Sequence, residues 1–411
     1  MNFLFSLLVA LLVFDFLLDT LADLANLKAV RPELPPEFQG AYDAKKYAES
    51  QRYLQANTRF GLIQGLFSLL TTLGFLFWGG FNHLDLWVRG FGVGEIASGL
   101  VFIGALMLMS GLAGLPFSIY RTFVIEEKFG FNRTTARVFL LDLVKALVLG
   151  MLLGGGVLAL ILWFFTSAGS FAWAFAWGAV VALQVLLQFL APAILMPLFN
   201  KFEPLPAGEL KQAIEKLADK LGFQLNGLFT MDGSKRSSKA NAFFTGFGKF
   251  RRIVLFDTLV EKHSVPELVG VLAPEIGHSR LQPFHRMFVL SVVSTGLLFF
   301  FLSRLIDNEN LFQAMGMEAK SLYASLVFAA LFFSPVNRFF SIVFHYLSRK
   351  HEFEADAFAA KESGDPRALA EALKKLSVEN LSNLTPHPWK VWLDYTHPPV
   401  IERLRALVSQ K

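Results

Sequence analysis

Residues 146–166 read ALVLGMLLGGGVLALILWFFT, a run without a single charged side chain. About 20 apolar residues in helical form cross the roughly 30 Å hydrocarbon core of a bilayer. Because lipid offers no hydrogen-bond partners, a membrane-spanning segment must satisfy its backbone polar groups internally, as a helix does. The stretch therefore predicts a transmembrane helix and places the chain among integral membrane proteins.

Six further stretches have the same character. The chain has 411 residues, of which 54% are hydrophobic and 17% are charged, whereas soluble proteins carry about 25% charged residues. The first stretch has no basic residue before its apolar run and contains Asp15 and Asp19, so it predicts a retained anchor and not a cleaved secretory signal. We expect a mainly α-helical, polytopic membrane protein with seven transmembrane helices, the other six near 3–24, 61–80, 96–117, 171–198, 287–306 and 321–345.

Basic residues are distributed unevenly between the loops. When the loops are assigned alternately to the two sides of the membrane, 34 Lys and Arg fall on one side and 3 on the other, with Arg338 inside the last span. Cytoplasmic loops are enriched in Lys and Arg. We therefore expect the N-terminus outside, and the C-terminus and the long 199–286 loop in the cytoplasm.

Composition excludes several classes of function. The chain has no Cys, which rules out disulfides, thiolate metal sites and cysteine nucleophiles, so any metal would be bound by His and carboxylates. The net charge of +5 is explained by the topology of the loops and does not indicate binding to nucleic acid. We expect no nucleic-acid partner.

Two long segments have the composition of soluble protein and are expected to pack together as a lobe against the membrane body. We expect a helix at 208–221, paired extended segments near 226–231 and 252–256, and a helix from Pro266, so the lobe contains a small β-sheet. The predicted organisation is transmembrane helices one to five at 1–198, the lobe loop at 199–286, helices six and seven at 287–345, and the C-terminal part of the lobe at 346–411.

Helix 266–286 contains a metal-binding pattern in which one member is replaced. Residues 272–278 read LAPEIGH, so Pro274 stands where an H-E-x-x-H motif has its first His. In the intact motif two His one helical turn apart bind zinc, and the Glu accepts a proton from the metal-bound water. The remaining Glu275 and His278 have a spacing that also occurs by chance in many proteins.

A pair of carboxylates follows the last span. Glu352 and Asp356 lie one helical turn apart in the run SRKHEFEADAF at 348–358. Two carboxylates on one helical face can serve as a metal ligand and its supporting partner. Alternatively, they form a solvated acidic face at the start of a cytoplasmic helix.

The first span carries an acidic stripe. Asp15, Asp19 and Asp23 recur at every fourth position and therefore share one helical face. Such a stripe is costly inside a membrane unless it faces water or a partner. It predicts either a face that lines a chamber or a helix end that emerges into the membrane interface.

Four other stretches have a recognisable pattern. They are PFSIY at 116–120 with Phe123 to Asn132, ILMPLFNKF at 194–202, KRSSKANAFF at 235–244, and HPP at 397–399 with Glu402 and Arg403. Together they resemble the type I CAAX prenyl protease family of integral-membrane zinc metalloendopeptidases, and the resemblance extends from the second span to the C-terminus. It implies a seven-helix barrel around a water-filled chamber in the lipid bilayer, with a zinc site facing the chamber from a cytoplasmic lobe. The implied substrates are peptides or proteins, of a prenylated or membrane-associated kind.

Carried over by position, the family pattern assigns a metal site. It makes His278 and Glu352 ligands of one zinc ion and Glu275 the general base. Asp356 then supports the metal site, either by orienting His278 or by pairing with Arg403. The alternative for Asp356 is an ordinary ion pair on the helix surface, with no role in a metal site.

The resemblance also assigns residues around the substrate. Asn241 and Ala242 resemble the end of an extended edge beside the zinc, along which a substrate backbone can add as a strand, although Asn is also a turn former. His397 resembles a residue near the scissile bond that stabilises the oxyanion, although a His before Pro-Pro also serves as a loop cap.

The chain departs from the family pattern at Pro274, and at Pro283, where the family usually has another His. Proline offers no lone pair to zinc, and in a helix interior it costs about 3 kcal/mol through a lost hydrogen bond and a clash with the preceding turn. A catalytic zinc normally has three protein ligands and a water. We therefore expect weak zinc occupancy, with His351 and His397 as the alternative donors.

The sequence thus supports two hypotheses. The first is a membrane zinc metalloendopeptidase that hydrolyses peptide bonds in an intramembrane chamber and is impaired by Pro274. The second is an inactive, non-catalytic homologue that binds or shields a peptide or membrane-protein client. The compact length and the lack of a dilysine tail favour a bacterial inner membrane over the endoplasmic reticulum.

Overall fold

The structure is a computed structural model that describes residues 2–223, 225–245, 252–281, 283–306, 308–363 and 366–409; the side chains of 278–281, 283–285 and 363 lie outside that description. The described chain is mostly helical and contains a small sheet, which confirms the predicted fold class. The helices are α1 (Phe3–Lys28), α2 (Ala44–Phe77), α3 (Gly80–Arg89), α4 (Glu95–Tyr120), α5 (Ala136–Leu149), α6 (Gly155–Ser167), α7 (Ala172–Leu190), α8 (Met196–Phe199), α9 (Glu209–Lys220), α10 (Asp257–Lys262), α11 (Val265–Leu281), α12 (Pro283–Leu305), α13 (Glu309–Ala314), α14 (Leu322–Ser363), α15 (Pro366–Glu379), α16 (Pro388–Asp394) and α17 (Val400–Ser409).

Seven helical stretches among the described residues are long and apolar enough to cross a membrane, which confirms the seven predicted spans. Short π-helical segments at Arg121–Glu126, Gly150–Gly154 and Ala191–Leu195 continue or join the helices. The spans are α1, α2, α4 with its π-helical end, α5 with α6, α7 with α8, α12 and α14.

Two of the spans extend well beyond the apolar runs that predicted them. Helix α2 begins at Ala44, before the apolar run at 61–80, and α14 runs for 42 residues to Ser363, past the expected end at 345. Hydropathy predicts only the part of a helix that lipid surrounds. It does not predict polar turns by which the same helix continues into the lobe. Helix α14 therefore leads directly from the membrane body into the lobe.

The lobe contains a four-stranded sheet in the order β1-β2-β4-β3. Strands β2 and β4 are parallel and pair Gly227 with Arg252, and they match the two predicted extended segments, while β1 and β3 flank them in antiparallel fashion. The strands are β1 (Phe202–Pro204), β2 (Gly227–Met231), β3 (Ala242–Thr245) and β4 (Arg252–Phe256).

One hydrophobic core joins both sequence segments of the lobe. The sheet and α9 and α11 come from the 199–286 segment, whereas α15 and α17 come from the C-terminal segment. Burial of apolar side chains from both segments is what holds them together as one lobe. The core residues include Ile214, Ile253, Leu255, Leu259, Leu268, Leu272, Ile276, Leu369 and Leu404.

The acidic stripe of α1 finds cationic partners on other helices. Arg338 of α14 lies 2.7 Å from Asp19 and 3.7 Å from Asp15, and Lys390 of α16 pairs with Asp23. The stripe is thus one half of a set of interhelical ion pairs, which compensates charges that a membrane helix would otherwise expose at high cost.

A buried polar network holds α3 against the start of α14. Asp85 is fully buried and accepts hydrogen bonds from the Tyr323 hydroxyl (2.5 Å) and from Arg89 Nε (2.7 Å), and Arg89 also donates to the Lys320 carbonyl at 2.8 Å. Removing the acceptor of such a network leaves its donors unsatisfied in a dry environment, which costs more than the bonds themselves contribute.

We expect Asp85→Ala to lower the free energy of unfolding by about 2 to 3 kcal/mol, because it leaves the buried Tyr323 hydroxyl without its acceptor and removes the ion pair of Arg89. Thermal unfolding in lipid nanodiscs measures the effect. The control is Lys320→Ala, which removes the exposed ion pair with Glu309 and leaves the backbone carbonyl in place, and it should cost less than about 1 kcal/mol. Equal losses in the two variants would contradict the assignment.

Candidate functional site

Helix α11 carries the P-E-x-x-H motif and packs into the core of the lobe. Its first turn follows Ser264, whose backbone N–H donates to Glu267 Oε2 at 2.8 Å, and contains Pro266, which tolerates an N-terminal position because it has no N–H to satisfy. Tertiary packing then buries one face of the helix. The residues that it buries include Leu268, Leu272, Ala273 and Ile276.

Pro274 is buried inside α11, and the helix continues through it to Leu281. One turn earlier, Gly270 allows α15 to approach closely: a Cβ at this position would lie 3.1 Å from backbone atoms of Ala368. Tight packing against α15 accounts for a helix that persists despite the hydrogen bond that a proline removes. The Pro274 ring offers no electron pair to a cation.

The lobe end of α14 carries four polar residues on one face. His345, Arg349, Glu352 and Asp356 follow one another at intervals of three or four residues. Glu352 and Asp356 are buried. They therefore do not form the solvated acidic face that was the alternative for this segment.

Arg403 of α17 binds both carboxylates. Its Nε and Nη2 donate to the two oxygens of Asp356, each at 2.7 Å, and its Nη1 lies 3.3 Å from Glu352 Oε2. The bidentate pair is strong because two charge-assisted hydrogen bonds act in parallel. It is buried, unlike the surface ion pair considered for Asp356.

Three carboxylates keep the Arg403 guanidinium protonated. Burial by itself lowers the pKa of Arg403, but its hydrogen bonds to Asp356 and the negative charges of Asp356, Glu352 and Glu275 raise the pKa above the ordinary value. Glu275 of α11 therefore lies near the same cation as the carboxylates of α14. Arg403 is the group around which α11, α14 and α17 meet.

His397 approaches Glu352 from the loop after α16. Its Nε2 lies 3.4 Å from Glu352 Oε1, its Nδ1 lies 3.0 Å from Thr396 Oγ1, and 65% of its side chain is exposed. The start of this loop is fixed by Arg349, whose Nη1 donates to the Tyr395 carbonyl at 2.6 Å. An exposed imidazole beside buried carboxylates can donate a hydrogen bond to an oxygen of a bound peptide.

The described side chains do not complete a zinc site. The His278 side chain lies outside the described part of the chain, and the described His, Asp and Glu residues, His351 included, contain no group of three that could hold a metal ion. Both oxygens of Glu352 already face Arg403 or His397. A catalytic zinc normally has three protein ligands, so the described side chains alone supply fewer donors than such an ion requires.

The segment Asn241–Ala242 leads into the outer strand of the sheet. Strand β3 is last in the order of the described strands, and the Phe256 N–H donates to the Asn241 carbonyl at 3.0 Å. Because alternate residues of an antiparallel pair direct their backbone polar groups to opposite sides, Ala242 and Phe244 turn theirs away from β4. The Ala242 N–H is bonded to the Asn241 side chain at 2.9 Å.

Sequence reasoning did not identify two cations that hold the segment before β3. The first is Arg236, which donates to both oxygens of Asp142 (2.7 and 2.9 Å), to Asn200 Oδ1 (2.7 Å) and to the Phe199 carbonyl (2.8 Å). Asp142 belongs to the fourth span, and Phe199 ends the fifth. Arg236 therefore ties the lobe to two spans at once.

The second cation is Lys239, which ties the same segment to the second and third spans. Its Nζ lies 2.7 Å from the Tyr53 hydroxyl and 2.9 Å from Glu126 Oε2. Both cations lie in the run KRSSKANAFF, but their partners are up to 186 residues away, so only the density of charge in that run could have drawn attention to them. Together they fix β3 relative to four spans.

Two family models and several known proteins match the chain. Residues 23–201 match the family described as "CAAX prenyl protease N-terminal, five membrane helices", and residues 204–411 match "Peptidase family M48". The CAAX prenyl protease 1 homolog of Oryza sativa is 35% identical over 405 residues, which cover 96% of this chain and 95% of the relative. CAAX prenyl protease 1 of Saccharomyces cerevisiae is 35% identical over 415 residues, which cover 93% of this chain and 91% of the relative. The crystal structure of S. mikatae Ste24p matches with a TM-score of 0.92 and 33% identity over 99% of each chain.

We expect Arg236→Ala to loosen the segment before β3, because it leaves the Asp142 carboxylate without its bidentate partner. Hydrogen exchange of the backbone amides of 236–245 should accelerate about tenfold or more, which corresponds to a loss of about 1.4 kcal/mol in local stability. Arg236→Lys should be intermediate, since a lysine keeps the charge but not the two parallel bonds. Arg133→Ala, an exposed neighbour, is the control and should leave the exchange unchanged; acceleration in the control alone would contradict the assignment.

Proposed function

The chain belongs to the CAAX prenyl protease family of membrane metallopeptidases, and on that premise we propose that it is a zinc metalloendopeptidase whose affinity for zinc, and with it the rate of peptide hydrolysis, is lowered by Pro274. One observation carries the proposal. Pro274 lies directly before Glu275 in a continuous α11, at the position where the motif needs an imidazole.

We assign roles to the residues around Arg403 by combining the motif with their surroundings. His278 and Glu352 are the remaining metal ligands, Glu275 is the proton acceptor, and His397 donates a hydrogen bond to the developing oxyanion. Asp356 acts through Arg403, which it fixes with two hydrogen bonds so that the guanidinium can orient Glu352. Support comes from the convergence of Glu275, Glu352 and Asp356 on one buried cation, although they come from different helices.

The loss of one ligand is expected to be severe. Residues that only support metal ligands contribute about 10- to 100-fold to metal affinity, so the loss of a ligand itself should cost more. Glu352 would hold the ion with carboxylate oxygens that face Arg403 and His397 in this structure. A non-catalytic role, in which the site binds or shields a peptide or membrane-protein client without cutting it, is favoured by the same proline and remains the second candidate.

We propose that the substrate binds as an extended peptide along β3. Ala242 and Phe244 turn backbone polar groups outward, and strand addition to an open edge is a common mode of peptide recognition. The Asn241 side chain, which caps the Ala242 N–H, must move aside when the peptide pairs there. A site in a lobe that is tied to four membrane spans points to prenylated or membrane-associated peptides, in line with the names of the relatives.

We further propose that the lobe is cytoplasmic and the N-terminus lies outside. Support comes from the 34 to 3 distribution of Lys and Arg between the two sides of the membrane. The bacterial inner membrane stays a prediction, since the relatives named above come from a plant and yeasts.

Substitution of Pro274 tests the proposal. We expect purified wild-type protein to contain far less than about one zinc per chain, and Pro274→His to approach about one, since it restores a third ligand. Metal analysis after dialysis measures zinc, and a fluorogenic prenylated peptide measures hydrolysis, which should rise in parallel.

The matched control is Pro274→Ala, which restores the backbone N–H and helix propensity without an imidazole. It should raise the melting temperature but not the zinc content. Equal zinc and equal activity in wild type and Pro274→His would refute the proposal. Full zinc in Pro274→His without hydrolysis would instead favour the non-catalytic candidate.

We expect Ala242→Pro to weaken binding of an extended peptide about threefold to tenfold, because it removes one outward N–H from the edge, equivalent to a net hydrogen bond of about 0.5 to 1.5 kcal/mol. Fluorescence anisotropy of a labelled peptide, with zinc removed by a chelator, measures binding apart from cleavage. Asn241→Ala frees the same N–H and should leave binding unchanged or tighten it. Weaker binding in Asn241→Ala than in Ala242→Pro would contradict a strand-addition mode.

A further inference from the structure

Helix α3 lies at the end of the membrane body opposite the lobe. Tyr53 of α2 contacts Lys239 of the lobe, and the end of α2 at Phe77 is 24 residues further along, which is about 36 Å at 1.5 Å per residue. This distance exceeds the roughly 30 Å thickness of the hydrocarbon core. The ten residues of α3, and the short links to α2 and α4, therefore lie at the second surface of the bilayer.

The two faces of α3 differ sharply. Phe81, Asp85 and Val88 are buried against the membrane body. Leu86 and Trp87 on the opposite face are exposed. A short amphipathic helix with an apolar outer face needs something to cover that face.

The outer face carries two aromatic pairs. Trp78 stacks on His83 with ring centroids 4.9 Å apart, and Trp87 meets Phe91 edge to face at 4.8 Å. The three large rings remain widely exposed, 68% for Trp78, 55% for Trp87 and 52% for Phe91. Each ring is thus held in place by a neighbour while its outer side stays open.

We propose that this outer face is inserted in the headgroup and glycerol region of the bilayer, as an interfacial anchor on the side opposite the lobe. The patch continues the exposed apolar surface of the spans, since Phe77 at the end of α2 is 61% exposed and immediately precedes Trp78. Trp favours this depth because its ring is apolar and its N–H still reaches water or lipid carbonyls. We expect lipid, and not a second protein, to cover this face. The reason is that the face lies at the bilayer surface, where the adjoining spans α2 and α4 reach the edge of the hydrocarbon core.

The anchor has a mechanical consequence. The inner face of α3 contacts the start of α14 through Asp85 and Tyr323, and Arg89 donates to the Lys320 carbonyl just before α14. Helix α14 carries Glu352 at its other end. The bilayer surface is thereby connected, through α3, to the helix on which the carboxylates of the lobe are placed.

Depth-dependent quenching of Trp fluorescence tests the proposal in the full-length protein in nanodiscs. The emission lost in Trp78→Phe/Trp87→Phe, obtained by difference from wild type, reports these two rings, and each single variant gives the same information should the double variant fold poorly. Trp177, whose indole donates to the Val292 carbonyl inside the membrane body, provides the matched Trp177→Phe control. The quenchers are lipids brominated near the glycerol end or near the methyl end of the acyl chain, and aqueous iodide.

The difference emission should be largely lost with bromine near the glycerol end and largely retained with bromine near the methyl end and with iodide. The Trp177 component should not share this pattern. Loss with iodide alone would place the face in water and overturn the proposal. Retention with all three quenchers would show that protein covers it, for example a second copy of the chain, and would overturn the proposal equally.

Discussion

A single buried guanidinium organises the lobe. Arg403 binds Asp356 through two hydrogen bonds and lies 3.3 Å from Glu352. The negative charge of Glu275 also contributes to the raised pKa of Arg403. A buried cation is tolerated only when it is paired and hydrogen-bonded, so these carboxylates must converge on it. Arg403 therefore links α17 to the lobe end of α14 and lies near Glu275 of α11, although these helices are distant in sequence.

The membrane connection of the lobe follows from α14 and from the segment before β3. Helix α14 runs from the last span to beyond Asp356, with Pro335 inside it, so the carboxylates of the lobe are carried on a helix that starts in the membrane body. On the other side, Arg236 and Lys239 bind four spans within four residues of chain. Strand β3 and the carboxylates of α14 are thus both attached to the membrane spans.

Much of this fold could be predicted because its signals are local. Runs of about 20 apolar residues define spans wherever they occur, and the lobe helix expected at 208–221 is present at Glu209–Lys220. The partners of Arg236, Lys239 and the acidic stripe could not be predicted, since charge pairing between residues 94 or more positions apart leaves no periodicity in a single sequence. Pro274 shows the converse: the local rule predicts a broken helix, but tertiary packing keeps α11 continuous.

We propose that Pro274, in place of one imidazole, lowers the affinity of this chain for zinc. Competition with a chromophoric chelator gives the zinc dissociation constant of wild type and of Pro274→His under the same conditions. We expect Pro274→His to bind zinc more than about 100-fold more tightly than wild type. Equal dissociation constants would contradict the proposal, because they would show that another side chain already binds zinc in place of the missing His.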